Sequence, residues 1–141
     1  MYAEGLAAGL RSITWFRLRD QPTAGPGGEI FRQMGLIRGD GSAKQATAAY
    51  QTVVREIGAR PFLHGLDTAA LGSPALTGQA FGDAGHAVWV AWSRTDQTAR
   101  LVPGVGTITR AYSMLGAAIP VSGNAVAVGP NPVYLEMVGA P

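Results

Sequence analysis

The run Ser12-Ile13-Thr14-Trp15-Phe16-Arg17-Leu18-Arg19-Asp20 decides how this chain is read. Its β-branched and aromatic content predicts a strand. A helix is expected after it, with Asp40 or Ser42 as N-cap. Ala46, Tyr50, Val53, Val54 and Ile57 fall at helical spacing and mark one buried face of that helix, and Gly58 is its expected stop. A strand followed by a helix normally belongs to a parallel sheet, whose other strands come from neighbouring units. Nothing else in residues 1–60 supplies those strands. Residues 1–10 read as the tail of a helix rich in alanine and leucine, stopped near Gly9. Gln21 to Gly28, with two prolines and three glycines, reads as a loop. Either the strand joins a sheet formed by the rest of the chain, or the chain is cut from something larger. The second is the expectation.

From Phe62 onward the pattern changes. Short apolar runs near 62–67, 76–82, 87–93, 99–102, 107–115, 124–128 and 133–138 are separated mostly by glycine, proline or Asp/Asn. Short strands at such spacing predict a small antiparallel sandwich. Val133, Leu135 and Met137 alternate with Tyr134 and Glu136, giving the last strand an inner and an outer face. Ala87-Val88-Trp89-Val90-Ala91-Trp92 is apolar on both faces, so it is expected at the centre, one face in the sandwich core and the other covered by something else. Trp89 and Trp92, three apart, face opposite sides and suit core packing plus an interface better than a paired sugar platform.

Composition sets limits around this picture. Hydrophobic residues make up 47% of the 141 residues and charged ones 14%, which excludes a disordered chain. The net charge is +2, and the basic residues, all arginine except Lys44, are scattered from Arg11 to Arg110 without a basic stripe. Nucleic acid is therefore not an expected partner. No run approaches the roughly 18 apolar residues of a membrane span, and the opening Met1 to Leu10, broken by Glu4, does not read as a signal peptide. With no cysteine, and with His64 and His86 outside any ligand spacing, neither a metal site nor a cofactor is expected. Gly25-Pro26-Gly27-Gly28 lacks the arrangement of a phosphate loop, Gly104-Val105-Gly106 has no following helix, and no Gly-x-Ser-x-Gly elbow occurs.

The run from Gly9 to Asp20 resembles the eighth barrel strand of clan A (β/α)8-barrel glycoside hydrolases, and is most similar to the β-xylosidase/α-L-iduronidase branch. Met34-Gly35-Leu36-Ile37-Arg38-Gly39-Asp40-Gly41-Ser42-Ala43-Lys44-Gln45-Ala46 is similar to the lead into the last helix of such barrels. The second half resembles the β-sandwich that follows them, through Gly78-Gln79-Ala80-Phe81, Val88 to Ser93, Met114-Leu115-Gly116 and Pro132 to Glu136. Ser113 departs from the aspartate that similar domains often carry. The resemblance implies a mainly β fold with α. Residues 1–60 would be the terminal βα unit of a TIM barrel and residues 61–141 a small antiparallel β-sandwich.

It also implies O-glycosyl hydrolysis in a full-length enzyme, with carbohydrate as ligand and the remaining barrel segments, or a partner chain, as the partner. Trp15 matches the aromatic that forms part of the sugar-binding floor in this clan, with an implied cis peptide to Phe16, and Asp20 would cap a strand end or line the substrate cleft. Retaining glycosidases need two carboxyl groups about 5–5.5 Å apart. In the clan these follow the fourth and seventh strands, upstream of Met1, so no catalytic residue is expected on this chain. Asp20 and Glu29 match neither position. Two further readings stay open: a carbohydrate-binding module, with Tyr112 and Tyr134 as its outward-facing aromatics, and a structural domain packed on a barrel.

Overall fold

The computed structural model describes residues 2–21, 32–83 and 85–140. The expected loop from Gln21 to Gly28 and Glu29 fall almost wholly outside these residues. Two helices come first, α1 (Tyr2–Ala7) and α2 (Gln45–Glu56), followed by β1 (Phe62–Leu66) and the short α3 (Thr68–Leu71). The rest is β2 (Leu76–Gly82), β3 (His86–Ser93), β4 (Ala99–Leu101), β5 (Thr107–Ser113), β6 (Val126–Val128) and β7 (Val133–Val138). The strands therefore lie where the apolar runs place them. They form an antiparallel five-stranded sheet in the order β1-β2-β3-β7-β5 and a two-stranded sheet of β4 and β6.

β3 is central, as its doubly apolar sequence requires. Trp89 lies opposite Ala80 on β2 and Leu135 on β7, and the side chains of successive residues leave on opposite faces. On one face Ala87, Trp89 and Ala91 join Leu76, Leu135 and Met137 beneath Leu101, Val126 and Val128 of the small sheet and Leu71 of α3. On the other face Val88 and Val90 join Phe81 and Tyr134 beneath Ala3 of α1 and Val53 and Ile57 at the end of α2. The cover that β3 needs on its second face is thus supplied by the chain's own helices. Residues 1–60 and 61–141 share this second core.

Several local expectations are corrected. Among the described residues Ser12 to Asp20 is not a strand of any sheet, and its backbone bends at Phe16 and Leu18. Its one pairing is a parallel bridge of Arg19 with Ile37, in which Ile37 N–H donates to Leu18 O at 2.9 Å and Asp20 N–H to Ile37 O at 2.8 Å. β-propensity selects an extended backbone, but a ladder also needs a neighbour, and among the described residues only the short Ile37 stretch provides one. The peptide bonds of the described residues are trans, including the one joining Trp15 to Phe16. The N-cap of α2 is Lys44, with no side-chain cap, because Asp40 spends its Oδ1 on the backbone and hydroxyl of Ser42 at 2.8 and 2.7 Å, closing a tight turn instead. Val54 is 53% exposed, whereas Thr52 and Glu56 are buried. The buried face is thus rotated from the apolar stripe, with Thr52 Oγ1 returning a hydrogen bond to Ala48 O at 2.9 Å.

Ile57 is 1% exposed in the shared second core. Replacing it with alanine is expected to cost about 2–5 kcal/mol, read as a fall in the urea midpoint of the whole chain. A loss below about 0.5 kcal/mol would mean that α2 does not seal the sheet.

Candidate functional site

The two residues singled out by the sequence sit at either end of the extended segment. Trp15 is half-buried. Its indole Nε1–H donates to Met34 O at 2.8 Å, and its ring lines an apolar cleft of about 390 Å³ with Tyr2, Tyr50, Trp92, Pro132 and Tyr134. The cleft lies where α1 and α2 meet the outer face of the five-stranded sheet. Tyr2 and Tyr50 form an edge-to-face pair on its wall, with ring centroids 5.8 Å apart. Trp89, by contrast, is wholly inside the other core, where its indole nitrogen has no hydrogen-bond partner.

Asp20 does not reach this cleft. Its Oδ1 accepts from Gly35 N–H and Lys44 Nζ, both at 2.8 Å, and its Oδ2 lies 2.7 Å from the same ammonium. Lys44 also donates to Gln33 O at 2.7 Å. Gly35 must be glycine at this point, since a Cβ there would fall 2.5 Å from the Asp20 backbone nitrogen. The hydrogen bond from Lys44, helped by the one from Gly35, holds the Asp20 carboxyl below the ordinary carboxylate range. The shallow depression around Asp20 is lined by Arg32, Arg38 and Lys44. Trp15 and Asp20 therefore line different cavities, but both grip the same returning stretch, one through Met34 O and the other through Gly35 N–H. Met34, Gly35 and Lys44 are the partners that sequence reasoning missed. The motif that leads into the last helix contains all three, but it does not show which atoms meet.

A second missed group is Glu56, 4% exposed between α2 and the sheet. Arg55 Nε lies 2.7 Å from its carboxylate, and the Arg55 guanidinium stands over the Tyr112 ring at 5.2 Å. Tyr134 is buried nearby, and burial, with the Glu56 charge second, pushes its phenol up to about 12. Tyr112 and Tyr134 therefore form no exposed aromatic strip. One lies under an arginine and the other under a helix. Among the described residues no group of three or more His, Asp or Glu could hold a metal ion, and no helix is long and apolar enough to cross a membrane.

The lowered carboxyl of Asp20 fixes the sign of a pH effect. A carboxyl depressed in the folded state adds stability above its unfolded value of about 3.9, and loses it as pH falls through the folded value. The stability gap between the natural chain and Asp20→Asn should be full at pH 6 and shrink progressively below about pH 4. Urea titrations at a series of pH values measure it. A gap independent of pH would show that the Lys44 pairing is not what holds the carboxyl charged.

No protein-family model matches the sequence, and no curated protein does. Among solved structures, 86% of the chain matches a family 39 glycoside hydrolase from the gut symbiont Bacteroides cellulosilyticus WH2, with a TM-score of 0.63 and 21% sequence identity. The match spans 25% of that protein's own chain. This chain has the fold of about a quarter of a glycoside hydrolase chain.

Proposed function

We propose that this chain is the C-terminal portion of a (β/α)8-barrel glycoside hydrolase of clan A. Residues 1–60 carry the last strand–helix unit and residues 61–141 the β-sandwich. O-glycosyl hydrolysis belongs to the whole enzyme, on a carbohydrate substrate, with a carboxylate pair supplied from outside this chain. The observation that carries this reading is the half-made state of Ser12 to Asp20. Among the described residues the segment makes a single bridge, Ile13 and Trp15 line cavities with residues of α1 and α2, and Phe16 and Leu18 are 69% and 66% exposed. Such a segment needs parallel neighbours on both edges. The fold likeness to a quarter of a glycoside hydrolase supports the same reading.

Within this reading the sandwich is a structural support. Its five-stranded sheet is covered on both faces, by the small sheet on one side and by α1 and α2 on the other. The carbohydrate-binding alternative would need an exposed planar aromatic surface, and Trp89 and Tyr134 are buried.

Reading the coding DNA upstream of Met1 in the same frame tests the proposal. A continuous frame should add seven strand–helix units and two glutamates, and its product should hydrolyse aryl glycosides while the 141-residue chain does not. A stop codon directly upstream, or hydrolysis by the short chain alone, would overturn it.

A further inference from the structure

We infer that the cleft between α1, α2 and the outer face of the five-stranded sheet binds a small organic cation that carries a quaternary ammonium group. The cleft is about 390 Å³, inside the range of roughly 300–1,000 Å³ that small-molecule sites occupy. Its wall is built largely of rings: Tyr2 from α1, Trp15 from the segment that follows, Tyr50 from α2, Trp92 from β3 and Tyr134 from β7. These rings come from five separate stretches of the chain, and folding alone brings them to one cavity. All of them lie on this chain, so the site stands whether or not the chain is part of a glycosidase.

Charge selects the class of ligand. The face of an aromatic ring is electron-rich and attracts a cation, more strongly where water is excluded. Glu4 of α1 adds a carboxylate to the same wall, and among the described residues that line the cleft there is no Lys, Arg or His. Burial, with Tyr50 second, raises the Tyr2 phenol, and burial pushes that of Tyr134 up to about 12, so both stay neutral rings at ordinary pH. The one charge in the lining is therefore negative. The same face of the sheet already holds a cation on a ring, with the Arg55 guanidinium 5.2 Å from the Tyr112 centroid. A primary ammonium or a guanidinium entering the cleft would need several hydrogen-bond acceptors to replace its water, and a wall of rings supplies few. A quaternary ammonium donates no hydrogen bond and spreads its charge over methyl groups that pack on ring faces. An uncharged apolar molecule of the same shape would fill the cleft but gain nothing from Glu4.

Titrating the 141-residue chain with choline chloride at constant ionic strength, followed by NMR, tests this. The indole N–H signals of Trp15 and Trp92 should shift saturably at millimolar choline, and that of Trp89, enclosed in the other core, should not move. The neutral isostere of choline, with a tert-butyl group in place of the trimethylammonium, should bind about tenfold more weakly. Tyr50→Leu should weaken choline binding by about tenfold, and Tyr50→Phe, which keeps the ring, should hold it within about twofold. Glu4→Gln, at an exposed position, should weaken it several-fold with the unfolding midpoint unchanged. Equal binding of choline and its isostere would make the cleft merely apolar and overturn the inference. Choline that produces no saturable shift, or binding that neither Glu4→Gln nor Tyr50→Leu weakens, would overturn it too. The isostere comparison uses the natural chain and needs no variant to fold.

Discussion

The sheet depends on β3 being covered twice. A strand that is apolar on both faces must lie between two layers, and each large aliphatic or aromatic side chain left in water would forgo about 1.5–3 kcal/mol. One layer comes from β4, β6 and α3, close in sequence to the sheet itself. The other comes from α1 and α2, at the far end of the chain. Because Val88 and Val90 on one face and Trp89 on the other belong to the same strand, the two cores are joined through its backbone. Residues on both sides of residue 60 contribute to the second core.

A second constraint is met only in part. Among the described residues, Ser12 to Asp20 pairs through the Arg19–Ile37 bridge alone, with Ile13 and Trp15 half-buried and Phe16 and Leu18 exposed at the surface. Large exposed apolar residues occur in both halves, Leu10, Phe16, Leu18, Met34 and Val54 in the first and Phe62, Val102, Val105, Leu115 and Val138 in the second. Scattered exposed apolar side chains are ordinary on a protein surface. Phe16 and Leu18 lie two apart, on a segment whose backbone bends at both residues.

The strands of the second half were legible because alternation and turn residues are local signals, and tertiary packing here agreed with them. What eluded the sequence depended on atoms distant along the chain. Whether Ser12 to Asp20 pairs is decided by the presence of neighbours, not by its own composition. Asp40 could cap a helix or close a turn, and the nearby Ser42 hydroxyl settled the choice. Nothing in the sequence marks Glu56 as buried, because an acidic side chain on a helix is normally exposed. Trp15 and Asp20 stood out in the sequence as substrate-binding candidates, not for the contacts they make within the chain. The partners, Met34 O and Gly35 N–H, are backbone atoms, which carry no signature in a sequence.

Glu56 links these layers to the open segment. A buried carboxylate is poor evidence for stability, since desolvation offsets much of the attraction to its partner. Its value lies in orientation. Arg55, paired with Glu56, lies over Tyr112 of β5, and the Glu56 charge reaches Tyr134 of β7. Rotating α2 by one residue, about 100°, would carry the Arg55–Glu56 pair, which turns with the helix, away from Tyr112 and Tyr134 and bring Val54 toward the sheet. The apolar stripe alone would accept that rotation, because Val53 and Val54 are interchangeable to a purely hydrophobic surface. The polar cluster opposes it and so selects Val53 as the inward residue. That choice sets which side of α2 faces the cavities it shares with Ile13 and Trp15.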